Sequence, residues 1–172
     1  MASGNALAYW DALGNQPVDA DFATLDTILT TSADEPDDVV PILDFDPGST
    51  QEYVALAAFM PDHYDGGGLT LTLVWTANVT TGNVKWDAQL KRQNAGANLL
   101  SKTYAAEQTV TDAAPATARN LEYAVITFTN SEIDGILKNE YFRLQITRDS
   151  ADAGDTMNSN DAELIAVYLT ET

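Results

Sequence analysis

Residues 69 to 90 read LTLTLVWTANVTTGNVKWDAQL, and their pattern points to a β-protein. From Leu69 to Ala77, large apolar residues alternate with threonine, which is typical of a strand with one buried face. Residues 84–92 alternate in the same way, with Trp86 inward and with Lys85, Asp87, Gln89 and Lys91 outward. The turn Thr80-Thr81-Gly82-Asn83 between these runs predicts an antiparallel hairpin with Trp75 and Trp86 on its buried face.

Similar runs follow along most of the chain, and we predict further strands at 39–45, 52–60, 103–110, 121–129, 140–148 and 162–170. The segment 131–140 breaks the alternation, and Ser131 is the expected N-cap of a short helical turn. Many short strands joined by turns rich in Gly, Asn, Asp and Thr predict an all-β antiparallel β-sandwich, jelly-roll-like in topology. The period-2 positions predict a core that includes Leu71, Leu73, Trp75, Trp86, Leu90, Val125, Phe142, Leu144 and Ile146.

The first part of the chain looks different, and we predict an irregular N-terminal arm at 1–37 followed by the sandwich domain at 38–172. The arm carries apolar side chains in a segment too short for a core of its own, so either it folds back or it packs on a neighbour. We expect it to contact another subunit and to be dispensable for folding of the sandwich. The candidate contact residues are Tyr9, Trp10, Phe22 and Leu25 in the arm, with Lys85, Lys91 and Arg92 on the predicted hairpin.

Charge is the strongest signal of composition. The 172 residues include 26 acidic and 8 basic side chains, a formal net charge of -18. Nucleic-acid binding depends on neutralising phosphates with Lys and Arg, so we expect neither nucleic acid nor an anionic membrane as a partner. There is no cysteine, which excludes disulfides and thiol chemistry. No apolar run approaches the length that crosses a bilayer, and the first residues do not have the pattern of a secretory signal.

Catalytic motifs are scarce. The only histidine, His63, stands in PDHYDGGG without a nucleophile elbow, a second histidine or a phosphate-binding loop. We therefore expect no enzymatic activity, no cofactor and no transition metal there, and we interpret the glycines as a corner before a strand. The loop 148–156 spaces Asp149, Asp152 and Asp155 three residues apart, which allows a calcium site, although an Asp-rich turn explains the same spacing.

Aromatic side chains offer another kind of site, a stacking platform for sugars. Trp75 and Trp86 occupy core positions, which leaves Tyr9, Trp10, Tyr64 and Tyr104 as candidates. Packing in the core or in an interface is the alternative for each of them.

Two stretches carry a resemblance to a known group of proteins: YDGGGLTLTLVWTA…TTGNVKWDAQLKR, and EYFRLQITRDSADAGDTMNSNDAELIAVYL near the end. The sequence resembles small, acidic, all-β virion structural proteins of tailed bacteriophages over about 39–172. The resemblance implies a jelly-roll-like capsid decoration (cement) protein or a part of a tail or fibre, without catalytic residues. It also implies the major capsid protein and further copies of the chain, in a homotrimer, as partners.

The resemblance thus implies a virion structural protein that stabilises the capsid shell, and the charge favours the outer surface of the capsid as its location. An interior location would bring net charge -18 against packaged DNA. The alternative function is a β-sandwich module of a tail fibre that binds a receptor or a carbohydrate.

Overall fold

The structure is a computed structural model that describes residues 4–16, 18–31, 36–48 and 50–172. Ten strands account for most of its regular structure, and their alternating side chains explain why they form. They are β1 (Ala6–Asp11), β2 (Thr24–Leu29), β3 (Val39–Phe45), β4 (Glu52–Phe59), β5 (Leu69–Thr76), β6 (Asn83–Gln93), β7 (Gln108–Ala113), β8 (Glu122–Phe128), β9 (Tyr141–Arg148) and β10 (Ala162–Glu171).

Two antiparallel sheets face each other across one core, so the prediction of an all-β, jelly-roll-like sandwich is confirmed. The six-stranded sheet has the order β2-β3-β10-β5-β8, and β1 pairs with β10 beside β3. The four-stranded sheet has the order β4-β9-β6-β7. The described residues contain no helix long and apolar enough to span a membrane.

The predicted hairpin of 69–77 and 84–92 is wrong, because its two strands belong to different sheets. β5 pairs with β10 and β8, whereas β6 pairs with β7 and β9. The connection between β5 and β6 is long enough to cross from one sheet to the other. Trp75 and Trp86 are nevertheless both buried, and their ring centroids lie 6.0 Å apart across the sandwich in an edge-to-face arrangement.

The predicted core is otherwise fully buried, apart from one residue. Val125 is 46% exposed, because Ala124 and Ile126 take the inward positions of β8 and leave Val125 on the outside. The prediction that Val125 belongs to the core is therefore wrong by one position in the alternation.

The described residues of the segment 1–37 are part of the sandwich, which corrects the prediction of an irregular arm. β1 pairs with β10 and β2 pairs with β3, so both strands extend the six-stranded sheet. Trp10 is buried, donates its indole N–H to the Ala57 carbonyl at 3.1 Å, and packs edge-on against Phe142. Residues 1–3, 17 and 32–35 of the segment lie outside the described residues.

Two local predictions also need adjustment. The helical turn is a 3-10 helix at Asn130–Ile133 capped by Thr129 in place of Ser131, since the Glu132 carboxylate accepts from the Thr129 N–H at 2.7 Å. The strand predicted at 103–110 begins later, at Gln108.

The glycine run before β5 forms a sheet corner, as the sequence indicates. Gly66 has φ +88, and a Cβ on Gly68 would lie 2.5 Å from the Phe128 carbonyl oxygen. His63 is exposed, and its Nε2 lies 3.1 Å from the Ala6 carbonyl oxygen. The stretch therefore links the corner to β1.

Candidate functional site

The outer side of the four-stranded sheet gathers polar and aromatic side chains into one surface. In β9, Phe142, Leu144 and Ile146 are fully buried, so the residues between them point away from the core. The same alternation holds in β4 and β6. We call this surface the four-stranded face, and it consists of Tyr53, Ala57, Phe59, Lys85, Asp87, Gln89, Lys91, Tyr141, Arg143, Gln145 and Thr147.

Strand register arranges these side chains in cross-strand rows. Gln89 and Gln145 are directly paired, and so are Lys91 and Arg143 in the next row. Tyr141 lies opposite Phe59 of β4. Alternate residues of a strand are about 6.7 Å apart, so the rows from Tyr141 to Thr147 extend over about 20 Å.

An amide pair occupies the middle of the face. The Gln89 Nε2 donates to the Gln145 Oε1 at 2.8 Å. This bond fixes both side chains and leaves the Gln89 Oε1 as an acceptor and the Gln145 Nε2 as a donor. The pair therefore offers one hydrogen-bond acceptor and one donor to a ligand that has hydroxyl groups.

Aromatic rings lie toward one end of the face. Phe59 is 68% exposed, and its ring centroid is 5.4 Å from that of Tyr141. Tyr104, from the connection between β6 and β7, sits with its ring centroid 4.5 Å from the Lys91 Nζ. Burial raises the pKa of the Tyr104 hydroxyl, and Arg143 opposes that shift. These rings supply flat apolar surface next to cationic side chains.

The other end of the face carries a buried acid. Asp87 is 1% exposed, and no described residue hydrogen-bonds to its Oδ1. Burial, and then the charge of Glu107, raise the pKa of Asp87 to about 7. The prediction that Asp87 faces outward holds for its direction in the strand, but neighbouring side chains cover it.

Additional chain segments flank the face on both edges. Beside β4, the Gln16 N–H donates to the Ala55 carbonyl at 2.7 Å, and the Tyr53 N–H donates to the Asp21 carbonyl at 2.8 Å. Beside β6, the Ala105 N–H donates to the Leu90 carbonyl at 2.8 Å. Backbone hydrogen bonds therefore hold the flanking segments against both edges of the four-stranded face.

The three carboxylates whose spacing allows a calcium site contact protein cations. Asp155 is buried, and its carboxylate accepts two bonds from the Arg148 guanidinium, at 2.9 and 3.0 Å. Asp152 and Asp149 lie 2.8 and 3.6 Å from the Lys85 Nζ. Among the described residues no group of three or more His, Asp or Glu is placed to hold a metal ion. Arg148 and Lys85 thus take the role that the sequence suggested for calcium.

Arg148 forms the centre of this loop. It is fully buried and also donates to the carbonyls of Phe45, Asn160 and Met157 at 2.7 to 2.9 Å. A buried guanidinium with all of these partners is a structural support, and it ties β3, β9 and the loop before β10 together.

The predicted contact residues do not form one surface. Tyr9 is 67% exposed on the outer side of the six-stranded sheet, whereas Trp10 is buried in the core. Phe22 and Leu25 are exposed near β4 and in β2. Lys85 and Lys91 lie at opposite ends of β6, and Arg92 binds Glu140 at 2.6 Å on the other side of the strand. Lys85, Lys91 and Arg92 therefore do not form one contact surface on β6.

Of the four aromatic candidates for a sugar platform, the structure brings only Tyr104 next to the four-stranded face, where its ring lies against Lys91. Tyr64 is buried, and its hydroxyl donates to the Gly67 carbonyl. Sequence reasoning missed Tyr53, Tyr141, Arg143 and Gln145, although the alternation in 52–60 and 140–148 places all of them outward. Only the sheet order shows that they are neighbours.

A cleft of about 430 Å³ lies at the outer side of the six-stranded sheet, between β2 and the residues before β8. Its lining is mainly apolar, with Ile28, Val40, Leu121 and Ile165 among the residues. Its one basic residue, Arg119, is bonded to Glu163. The cleft thus has no free charge for a polar ligand.

Comparison with known proteins identifies the fold. No family model matches the sequence, and no curated protein matches it either. The structure is similar to the CBM22-1 xylan-binding domain of Paenibacillus barcinonensis Xyn10C, with a TM-score of 0.51, 6% identity, and coverage of 98% of this chain and 96% of that one.

Two further solved structures are similar. One is a putative sugar binding protein from Bacteroides thetaiotaomicron, with a TM-score of 0.48, 10% identity, and coverage of 96% and 88% of the two chains. The other is the family 30 carbohydrate-binding module of a cellulosomal cellulase of Clostridium thermocellum, with a TM-score of 0.44, 10% identity, and coverage of 98% and 94%. At 6% identity, the likeness to the xylan-binding domain shows a shared jelly-roll-like β-sandwich fold.

Proposed function

We propose that the protein is a carbohydrate-binding module and that an extended glycan lies along the four-stranded face. The observation that carries the proposal is the Gln89–Gln145 amide pair, fixed by its own 2.8 Å hydrogen bond on the face that also presents the Phe59 and Tyr141 rings. A binding site for a small polar ligand combines apolar surface with a few oriented polar groups, and this face offers both. The fold shared with a xylan-binding domain supports the choice of ligand class.

The proposed binding mode follows from the positions of these groups. The apolar side of one sugar ring packs on Phe59 and Tyr141, and the hydroxyls of a ring about 13 Å further along the glycan donate to the Gln89 Oε1 and accept from the Gln145 Nε2. Because the groups sit on adjacent strands of one sheet, their geometry is set before the ligand arrives. Binding then costs little ordering of the protein.

A glycan array followed by calorimetric titration tests this function. In the double variant Gln89→Ala/Gln145→Ala we expect at least tenfold weaker binding of any glycan that the wild type binds, equivalent to about 1.4 kcal/mol. Tyr9→Ala, on the opposite sheet, is the matched control and should bind as the wild type does. The absence of binding to every glycan on the array, or equal loss in both variants, would refute the proposal.

We keep the virion protein as a second proposal, because the outer side of the six-stranded sheet exposes apolar side chains. Tyr9, Tyr123 and Val125 are 67%, 57% and 46% exposed, and an exposed apolar patch is typical of a protein interface. Capsid decoration would cover this patch with the major capsid protein or with further copies of the chain. Mass spectrometry of purified virions tests it: hundreds of copies per particle fit decoration, a few dozen fit a fibre module, and none would exclude both.

A further inference from the structure

The basic residues of this chain are almost all neutralised by carboxylates. Of the eight basic side chains, six lie within 4.0 Å of a carboxylate oxygen, namely Lys85, Arg92, Lys102, Arg119, Lys138 and Arg148. With 26 acidic residues in the chain, such pairing is the expected fate of a cation. The two exceptions among the described residues are Lys91 and Arg143.

These two unpaired cations are direct neighbours. Lys91 of β6 and Arg143 of β9 are opposite each other in the strand register, on the four-stranded face. Like charges directly across a strand pair destabilise a sheet. Burial, and then the charge of Arg143, lower the pKa of Lys91. On the other side of Arg143 stands Ala57, so no acid balances the pair from β4.

The surroundings of the pair are suited to a ligand. The Tyr104 ring covers one side of the Lys91 ammonium, and Tyr141 lies two residues before Arg143 in β9. Arg143 shares a hydrogen bond with the neutral Tyr104 hydroxyl, which leaves other N–H donors of its guanidinium, and those of the Lys91 ammonium, for a ligand. Both are half-buried, and charge-assisted bonds made there are stronger than bonds made in open water.

From this arrangement we propose that the glycan bound on the four-stranded face is acidic, with a carboxylate or a sulfate of one sugar held by Lys91 and Arg143. The inference rests on the proposed carbohydrate-binding function and adds the class of sugar. An anion placed between the two cations removes their mutual repulsion and receives charge-assisted hydrogen bonds from both.

We expect the glycan to carry few negative charges, well separated along its length. Asp87 lies four residues before Lys91 in β6, about 13 Å away, and Glu107 is close enough to raise its pKa. A glycan with a negative charge on every sugar would place some of them against these acids. In a glycan with one acidic sugar among neutral ones, the acidic sugar contacts Lys91 and Arg143 and a neighbouring neutral sugar contacts the Gln89–Gln145 amide pair.

The test compares each acidic glycan with its own neutral counterpart. The probes are sialylated, uronic-acid-containing and sulfated oligosaccharides, each beside the same oligosaccharide without the acidic group, so that carboxylate and sulfate are distinguished. In calorimetric titrations of the wild type, we expect the acidic form to bind at least tenfold more tightly than the neutral form. Lys91→Met and Arg143→Gln should each reduce that ratio severalfold, with the acidic and the neutral form titrated against the same variant.

Arg119→Gln is the matched control, because it removes one positive charge from the connection before β8, beside the apolar cleft. It should leave the ratio unchanged, and a loss there would overturn the inference by moving the anion site to the cleft. If acidic and neutral forms bind equally, the inference is wrong while the carbohydrate-binding function stands. If no saccharide binds, both are wrong. Thermal unfolding of each variant shows whether it is folded.

Discussion

Trp86 belongs to the four-stranded sheet and packs against aromatic side chains of the six-stranded sheet. It is fully buried and packs edge-to-face against Trp75 and, at a centroid distance of 5.0 Å, against Phe45. Trp86→Ala removes these contacts and leaves a cavity, so we expect it to lower the free energy of unfolding by about 3–5 kcal/mol. Urea denaturation measures this change. Tyr123→Ala, at an exposed position, should cost less than about 1 kcal/mol, and similar losses in both variants would contradict the packing described.

Asp87 gives the stability a pH dependence with a definite sign. Its pKa is about 7 in the folded protein, compared with 3.8 for an exposed aspartate, so the folded state holds the proton more tightly than the unfolded state does. Its contribution to stability is complete below about pH 4 and is lost as the pH rises through 7, by up to about 1.4 kcal/mol for each pH unit. Asp87→Asn removes that loss.

Urea unfolding from pH 4 to pH 8 checks the sign. The stability of Asp87→Asn relative to the wild type should increase as the pH rises, whereas Val125→Ala, which changes no titratable group, should give a curve parallel to the wild type. Parallel curves for Asp87→Asn as well would show that Asp87 is ionised at neutral pH.

β1 shows why strands at the start of the chain are hard to recognise. Its sequence, ALAYWD, is apolar or aromatic as far as Asp11 and does not alternate with polar residues. Its Trp10 nevertheless reaches across the sandwich to Phe142 and to the Ala57 carbonyl. Deletion of residues 1–11 should therefore lower the midpoint of thermal unfolding severely, because it removes Leu7 and Trp10 from the core and uncovers the edge of β10. Tyr9→Ala is the control within the same strand. A truncated protein that unfolds within a few degrees of the wild type would mean that β1 is a dispensable arm.

The strands from residue 39 onward could be predicted from their alternation, but their partners could not. Alternation reports which side of a strand is buried, and it is the same for two strands of one hairpin and for two strands that face each other across a core. For this reason the alternation correctly predicts that Trp75 and Trp86 are buried, whereas the predicted pairing of their two strands in one hairpin is wrong. The candidate site could not be predicted for the same reason: strand partners are not readable from the sequence, and Gln89, Gln145 and Arg143 become neighbours only through the β6–β9 pairing.

The distribution of charge over the protein unites these observations. A net charge of -18 disfavours an anionic partner in general, yet the only unpaired cations among the described residues sit together on one face. At physiological ionic strength the field of distant acids is screened beyond about 8 Å, so contacts at the face determine which ligand binds. The six-stranded sheet, by contrast, presents an apolar side suited to a protein neighbour.

The central claim is that the four-stranded face binds a glycan, and amide chemical-shift mapping of the labelled protein tests it most directly. On titration with an oligosaccharide found by the array, the largest shifts should fall in β6 and β9, at Tyr104, and on the side-chain amides of Gln89 and Gln145. Shifts concentrated around the cleft at Arg119 and Leu121, or on the side of Tyr9 and Tyr123, would contradict the claim.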